Sequence, residues 1–393
     1  MIPALRRAYN STFTDAKYRH LLARLEAVCA TPIQFRVSET PCFFPKSLLD
    51  TMCRYGAELL SQLVGNAAYH EASNASIPPQ FNVPNEDAKP LFVQVDFGLV
   101  RNNGGYEPKL VELQGFPSIY GFQSTISKEY AYGFDLPEDL EIFLSGLNEE
   151  GFHSLLRRAI VGEHKPETVV LLEIDPHLQK TRPDFIITER ICGIKTVNIR
   201  DVVKQGRKLF YVQDHKLAPI ERIYNRTIVD ELVRREVKLP FDYRDELDVE
   251  WAGHPNWYFR LSKFSIPFLK HPSVPWTEFL DQFDNIPGDR ENYLLKPLYS
   301  FAGAGILFAP TDADLAAIPP DQRPHYILQE RMRFEPVIET PHGPTQAEVR
   351  VMYIWLDKLV PVLALVRMGR GKMMGVDHNK NLEWVGASAG LFR

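Results

Sequence analysis

Apolar and polar positions change period several times along the chain, and those changes divide it. Over 15–30 and 46–64 ("KSLLDTMCRYGAELLSQLV") apolar residues recur at the spacing of one helix face, and the second segment opens after Pro45. "NASIPPQFNVPNEDAKP" is a proline-rich connection. The period then drops to two. "LFVQVDFGLV", the turn signal "RNNGGYEP" and "KLVELQGF" predict a β-hairpin. From residue 166, "ETVVLLEI", "RPDFIITERICG", "IKTVNIRDVV", "KLFYVQ" and "IERIYNRT" alternate strand with helix, the pattern of an open α/β unit. The charged stretch "DELVRREVKLPFDYRDELDVEW" predicts a solvated helix and a boundary near residue 245. Beyond it, "WYFRLSKFSIPFLK" reads as helical, and "NYLLKPLYSFAGAGILFAP" as strand, loop and strand. "YILQERM", "AEVRVMYIWL" and "KLVPVLALVRM" read as short strands. The Gly- and charge-rich "GRGKMMGVDHNKNLEWVGASAGLFR" follows, with Asn379 and Asn381 as turn residues.

A chain of 393 residues has room for about two to three domains. With 45% hydrophobic and 24% charged residues it has the profile of a globular protein with ample core. A net charge of −5 supplies no broad basic field, which argues against nucleic acid and against an anionic membrane surface as partners. Any phosphate must be met by a few placed groups. Cys29, Cys42, Cys53 and Cys192 show neither metal-ligand spacing nor a disulfide framework, so a reducing, cytoplasmic setting is expected. No signal-type segment and no run long enough to span a bilayer is visible. The histidines stand singly, which sets aside zinc and Ser–His hydrolysis.

The hairpin raises the first chemical question. Asp96 and Glu112 each lie eight residues from Gly104, which places them opposite one another. Directly opposed carboxylates, with Cβ atoms roughly 5 Å apart, destabilise a strand pair. Mg2+ would resolve the repulsion, being a hard cation held by one or two carboxylates plus substrate phosphates. Gln114, on the same strand face as Glu112, could add a neutral oxygen. The competing reading is a solvent-facing hairpin whose charges meet Lys109 or Arg101, since a one-residue slip separates the two acids.

Three further segments carry candidate chemistry. In "LLKPLYSFAGAGILF", Lys296 closes an apolar strand, and Ser300, Ala302, Gly303, Ala304 and Gly305 form a turn whose N–H groups can approach an anion. It is not a Walker loop, and a plain hairpin loop is the alternative. "YILQERM" offers Gln329 and Glu330 but no signal of its own. Arg350 and Arg367 fall on successive strands, where buried guanidinium groups need anions; strand-edge salt bridges are the competing account.

The order of these parts is more informative than any one of them. Lys263 in "RLSKFSIPFLKHPSVPWTEFL", then "LLKP" with its Gly-rich loop, "ILQE", "EVRV", "LVRM" and an Asn-bearing loop form a series that resembles the ATP-grasp superfamily. That series usually closes with an acidic metal-binding hairpin, which here is matched by 91–117 ("VDFGL…PKLVELQGFP"). The chain therefore resembles a circularly permuted ATP-grasp protein of the glutathionylspermidine synthase and glutathione synthetase branch, over most of 40–393. The stretch "VNIRDVVKQGRKLFYVQDHKLAPIERIYNRTIVDEL" resembles the pre-ATP-grasp domain of permuted members.

The resemblance implies an α/β (α+β) fold: a circularly permuted ATP-grasp core with a Rossmann-like pre-ATP-grasp domain. Its parts would be an N-terminal helical segment at 1–80, the metal-binding hairpin and core helices at 81–165, a substrate domain at 166–245, and the nucleotide-binding subdomains at 246–393. It implies ATP and Mg2+ as cofactors. Lys263 and Lys296 would contact the phosphates, Ser300, Gly303 and Gly305 would belong to the flap, and Gln329 and Glu330 would hold adenine and ribose. Asp96, Glu112 and Gln114 would bind metal, and Arg350 or Arg367 would stabilise the transferred phosphoryl group. Ser118, Tyr120, Gln123, Tyr224 and Arg226 are acceptor-pocket candidates for which structural roles are equally open. The implied function is a carboxylate–amine ligase acting on small molecules through an acyl phosphate. A non-catalytic nucleotide-binding protein and a phosphotransferase are the alternatives. Two departures bear on the choice: Gln94 stands where the branch has Arg, and Gln114 where it has Asn.

Overall fold

The computed structural model describes residues 1–393 apart from 103, 284 and 299–304. The described residues form a mixed α/β (α+β) fold with four sheets. The largest has six strands in the order Cys42–Phe44, Gly386–Phe392, Leu359–Gly369, Gln346–Trp355, Phe92–Asn102 and Gly105–Gln114. Its neighbours pair antiparallel except the first two strands, which are parallel. The period-two hairpin thus lies against a strand that follows it by about 250 residues in the sequence.

Alternation sorts the two faces of this sheet. Val93, Val95, Phe97, Val349, Val351, Tyr353 and Val366 are buried with Leu49, Met52, Leu59 and Leu60 of the helix Lys46–Leu63. Gly56 makes the close approach possible: a Cβ there would lie 2.1 Å from the Tyr353 hydroxyl. The other face changes character along its length. Phe92, Met352, Ile354 and Leu365 are covered by Tyr120, Phe152 and Leu156, from the helices Tyr120–Gly133 and Glu149–Val161. Further along the same strands, the positions on that face become Gln94, Asp96, Glu348, Arg350 and Arg367.

A parallel sheet runs Glu250–Trp251, Arg222–Asn225, Val169–Glu173 and Lys195–Asn198. The helix Arg182–Cys192 crosses between its last two strands, with proline in its first turn and Gly193 (φ 74°) at its left-handed C-terminus. An antiparallel sheet runs Thr277–Phe279, Tyr326–Glu330, Tyr293–Pro297 and Leu307–Phe308. A three-stranded meander, Val203–Gln205, Lys208–Gln213 and Lys216–Ile220, completes the set. Among the described residues, no helix is long and apolar enough to cross a membrane.

Three segments depart from the periodicity. "WYFRLSKFSIPFLK" is not one helix: Asn256–Arg260 is helical, Ser262 then caps a new 3-10 segment Lys263–Phe268, and Pro267 removes a helical donor. The tail holds the strand Gly386–Phe392, whose Gly, Ala and Ser residues conceal it by propensity. Its tight packing demands small residues, since a Cβ on Gly390 would meet Ala364 at 3.0 Å. Periodicity singles out no element over 118–165, where two helices cover the central sheet.

Candidate functional site

The hairpin sets the geometry. Its ladder closes at Asn102 opposite Gly105, and on that register alone Asp96 would face Val111. A bulge lies between the pairs Phe97/Leu110 and Asp96/Glu112, and its one extra residue brings Glu112 opposite Asp96. Gln114 then faces Gln94. The pairing expected by symmetry about Gly104 is therefore present, through two offsets that cancel.

The cation between the acids is an arginine. Arg350 stands opposite Asp96 on the other neighbouring strand. Its Nε and Nη2 donate to the two Asp96 carboxylate oxygens at 2.5 and 2.6 Å, and its Nη1 donates to Gln94 Oε1 at 2.7 Å. Arg350 Nη2 also lies 3.8 Å from Glu112 Oε1. Arg367 Nη1 donates to Asp96 Oδ2 at 3.2 Å and to Glu348. Burial alone would push the Asp96 carboxyl up; Arg350 and Arg367 outweigh it and hold it below its usual range. Glu348 goes the other way, raised by burial with Arg367 opposing and Asp96 adding to the rise. Lys109 and Arg101 play no part in this: they pair with Glu107 and Glu335.

Two lysines approach from a different sheet and a different segment. Burial lowers the Lys296 ammonium to about 8, with Glu112 opposing and Lys263 adding to the fall. Burial lowers Lys263 too, against Glu112 and Asp230. Lys296 Nζ donates to Gln329 Oε1 at 2.5 Å, and Gln329 Nε2 donates to Thr277 Oγ1 at 3.0 Å. Lys263 Nζ donates to the Leu298 carbonyl at 3.3 Å. The chain around Lys263 runs along the outer hairpin strand, where Gly115 and Leu110 donate to the Leu261 and Ser273 carbonyls. That covers an edge that would otherwise be open.

Asp96, Glu112, Glu348, Arg350, Arg367, Lys263 and Lys296 thus form one charged cluster with Gln94, Gln114 and Gln329 around it. Glu112 and Arg367 are its partly exposed members, at 26% and 24% of their side-chain area. Glu348 is a member that motif reasoning missed. Its signal was available, two positions before Arg350 and so on the same strand face.

The other expected residues divide. Gln329 is buried with its amide engaged, while Glu330 is exposed at the strand end. Gly305 takes φ 72°, a left-handed conformation that suits glycine. Ser300 and Gly303 lie outside the described residues. Ser118 is half-buried, and its carbonyl accepts from Gln94 Nε2 at 2.8 Å. Four acceptor-pocket candidates lie in the core, the structural role that the sequence leaves open for them. The Tyr120 hydroxyl lies 2.8 Å from the Tyr353 carbonyl, and the Gln123 amide donates to the Ser388 carbonyl at 3.3 Å. Tyr224 is fully buried against Phe92, and Arg226 is paired with buried Asp184 beneath Phe185. The physical reason is that the helix and sheet following the hairpin pack on these side chains, with Tyr120, Gln123 and Arg226 hydrogen-bonded internally and Tyr224 held by ring packing. Asn379 fastens its own turn, donating to the Met373 and Gly375 carbonyls at 2.9 and 3.1 Å.

The donor set decides which ions fit. Both Asp96 oxygens accept from guanidinium groups, Glu348 accepts from Arg367, and Gln114 turns its N–H donor, not its oxygen, toward Glu112. Among the described residues there is no group of three or more His, Cys, Asp or Glu able to hold a metal. Asp96, Glu112 and Gln114 in this arrangement do not fit a resident Mg2+. An anion would suit the buried Lys296 ammonium, whose hydrogen bond among the described residues goes to a neutral amide oxygen. A separate cleft of about 910 Å3 lies beside the edge strand Lys195–Asn198, and none of its lining residues belongs to the cluster.

No family model matches the sequence, and no curated protein matches it. Similarity appears at the level of structure. A solved glutathione synthetase-like effector, GSS30 from Globodera pallida, superposes with a TM-score of 0.58 at 11% sequence identity, covering 96% of this chain and 98% of that one. At that identity the likeness speaks to architecture alone: the chain has a fold similar to that of a glutathione synthetase-like protein.

Proposed function

We propose that the chain is an ATP-dependent carboxylate–amine ligase, on an ATP-grasp fold whose acidic hairpin has moved forward in the sequence. The observation that carries this reading is the buried Lys296 ammonium, whose hydrogen bond among the described residues goes to a neutral amide oxygen. A desolvated cation without an ionic partner is costly, and an anion bound there would relieve the cost. Lys263, near enough to depress the Lys296 ammonium, and Arg367 at the exposed side add positive charge to the same region. The hairpin's place beside the strand Gln346–Trp355 and the glutathione synthetase-like neighbour support the ATP-grasp reading.

In this reading Lys263 and Lys296 neutralise the phosphates. Arg367, partly exposed and planar, stabilises the transferred phosphoryl group and then the oxyanion. Arg350, locked on Asp96 and Gln94, is a positioning residue that fixes the cluster. A substrate carboxylate attacks the terminal phosphorus and ADP leaves; an amine then attacks the acyl phosphate and phosphate leaves. The test is incubation with ATP, a panel of carboxylates and hydroxylamine. ADP and hydroxamate are expected together, and absence of both across a broad panel would sink the ligase reading. A second reading, a nucleotide-binding protein without turnover, draws on the commitment of Asp96 to two arginines. It is favoured if ATP raises Tm while no ADP is released.

A further inference from the structure

We infer that Arg350 is the resident cation of the acidic hairpin, so that this site takes a polyphosphate with no protein-bound divalent metal. The anion half of this rests on the reading of the site given above; the metal half stands on the hairpin alone. Three observations converge on it.

The first is geometric. A bidentate guanidinium holds both oxygens of Asp96, which is fully buried, and one of the same nitrogens, Nη2, lies 3.8 Å from Glu112 Oε1. The same side chain therefore bridges the two carboxylates that would otherwise repel. Mg2+ sheds its water reluctantly and would have to displace an ideal charge-assisted pair from inside the sheet. Displacement would also leave Arg350, itself 4% exposed, as an unpaired buried charge.

The second is the pair of amides. Gln94 accepts from Arg350 Nη1 and donates to the Ser118 carbonyl at 2.8 Å, which pins the guanidinium in place. Gln114, opposite Gln94, donates to Glu112. Both side chains supply neutral bonds that hold the charged groups where they are: the Gln94 oxygen is taken by Arg350, and Gln114 turns its N–H toward Glu112.

The third is the charge balance. Arg350, Arg367, Lys263 and Lys296 stand against Asp96, Glu112, Glu348 and Asp230, so the carboxylates already have their counter-charges without a metal. A divalent cation would add charge that no carboxylate is left to meet.

The test uses the full chain. Mn2+ is titrated in the absence of nucleotide into the wild type, Glu112→Gln, Arg350→Gln and the double variant, and free ion is followed by EPR. The wild type is expected to bind no Mn2+ below about millimolar concentration. Arg350→Gln, which frees Asp96 and Glu112, should bind at least about tenfold more tightly, and the double variant should lose that gain. Micromolar binding by the wild type that Glu112→Gln abolishes overturns the inference, as does a folded Arg350→Gln that gains no affinity. Should Arg350→Gln fail to fold, the wild type and Glu112→Gln decide alone. In a second arm, ATP binding is measured calorimetrically in EDTA and in excess Mg2+. Affinities within about threefold are expected, and a tenfold requirement for Mg2+ overturns the inference. No ATP binding in either buffer overturns the nucleotide reading instead, and the Mn2+ arm then judges the metal half by itself.

Discussion

Lys296 and Glu173 are buried ionisable side chains with opposite demands on pH. Lys296 titrates at about 8 in the folded chain, against 10.5 ordinarily, because burial disfavours its charge. Between those values the unfolded chain binds the extra proton, so stability rises with pH across that window and the cost is fully present below it. Lys296→Met should therefore be more stable than the wild type at pH 7 by on the order of a few kcal/mol, read as a higher Tm, with the gap closing toward pH 10.5. The same variant should lose ATP binding in calorimetry, and an unchanged Tm at pH 7 would contradict the burial account. Glu173, 4% exposed at the end of the strand Val169–Glu173, is pushed up to about 8 by burial, with Arg226 opposing. Its folded form keeps a proton that the unfolded chain releases near 4.5, so stability falls as pH rises from there through 8. Glu173→Gln should match the wild type in urea at pH 4 and exceed it at pH 9 by on the order of a few kcal/mol. Equal stabilities at pH 9 would count against this. At this scale the sequence was legible as residue type and strand position: Asp96, Glu112, Arg350, Arg367, Lys263 and Lys296 all belong to one cluster. What could not be read was who pairs with whom, because two carboxylates accept a guanidinium as readily as a metal.

The element that positions the cluster is the hairpin together with the segment along its outer edge. Gly115 is the point of closest approach: a Cβ there would lie 2.3 Å from the Trp257 carbonyl oxygen, a backbone atom that cannot rotate away. Gly115→Ala should cost on the order of 1–3 kcal/mol by forcing the two segments apart. It should also weaken ATP binding more than its loss of Tm explains, because Lys263 follows Leu261, the acceptor of the Gly115 N–H, by two residues. Urea titration and calorimetry on the same preparation check both, and unchanged affinity would detach Lys263 from the hairpin. The hairpin itself was plain from alternation and its turn residues. The bulge was not, since an extra residue inside a ladder leaves no mark on an alternating pattern. The interrupted helix at Pro267 could have been read from the proline, whereas the strand Gly386–Phe392 is dictated by what it packs against.

For the molecule as a whole, the central sheet is assembled from segments at 42–44, 92–114 and 346–392, while the parallel sheet is drawn from 169–251. Their dependence on distant chain therefore differs. A chain ending at residue 345 would leave Asp96 without Arg350 or Arg367, and the strand Phe92–Asn102 without its neighbour Gln346–Trp355. Hydrogen exchange on that fragment should find the hairpin amides unprotected and the parallel-sheet amides still protected. Protection of the hairpin would mean that the sheet does not need its later strands. The order of the parts also has a meaning in time. Asp96 leaves the ribosome 254 residues ahead of Arg350, which at roughly 5–20 residues per second is a wait of roughly 13–50 s. Throughout it the strand Phe92–Asn102 has an open edge and an acidic side chain with no arginine beside it. The segment that carries the carboxylates of the site is thus exposed to mispairing during synthesis, and a nascent-chain chaperone has reason to hold it.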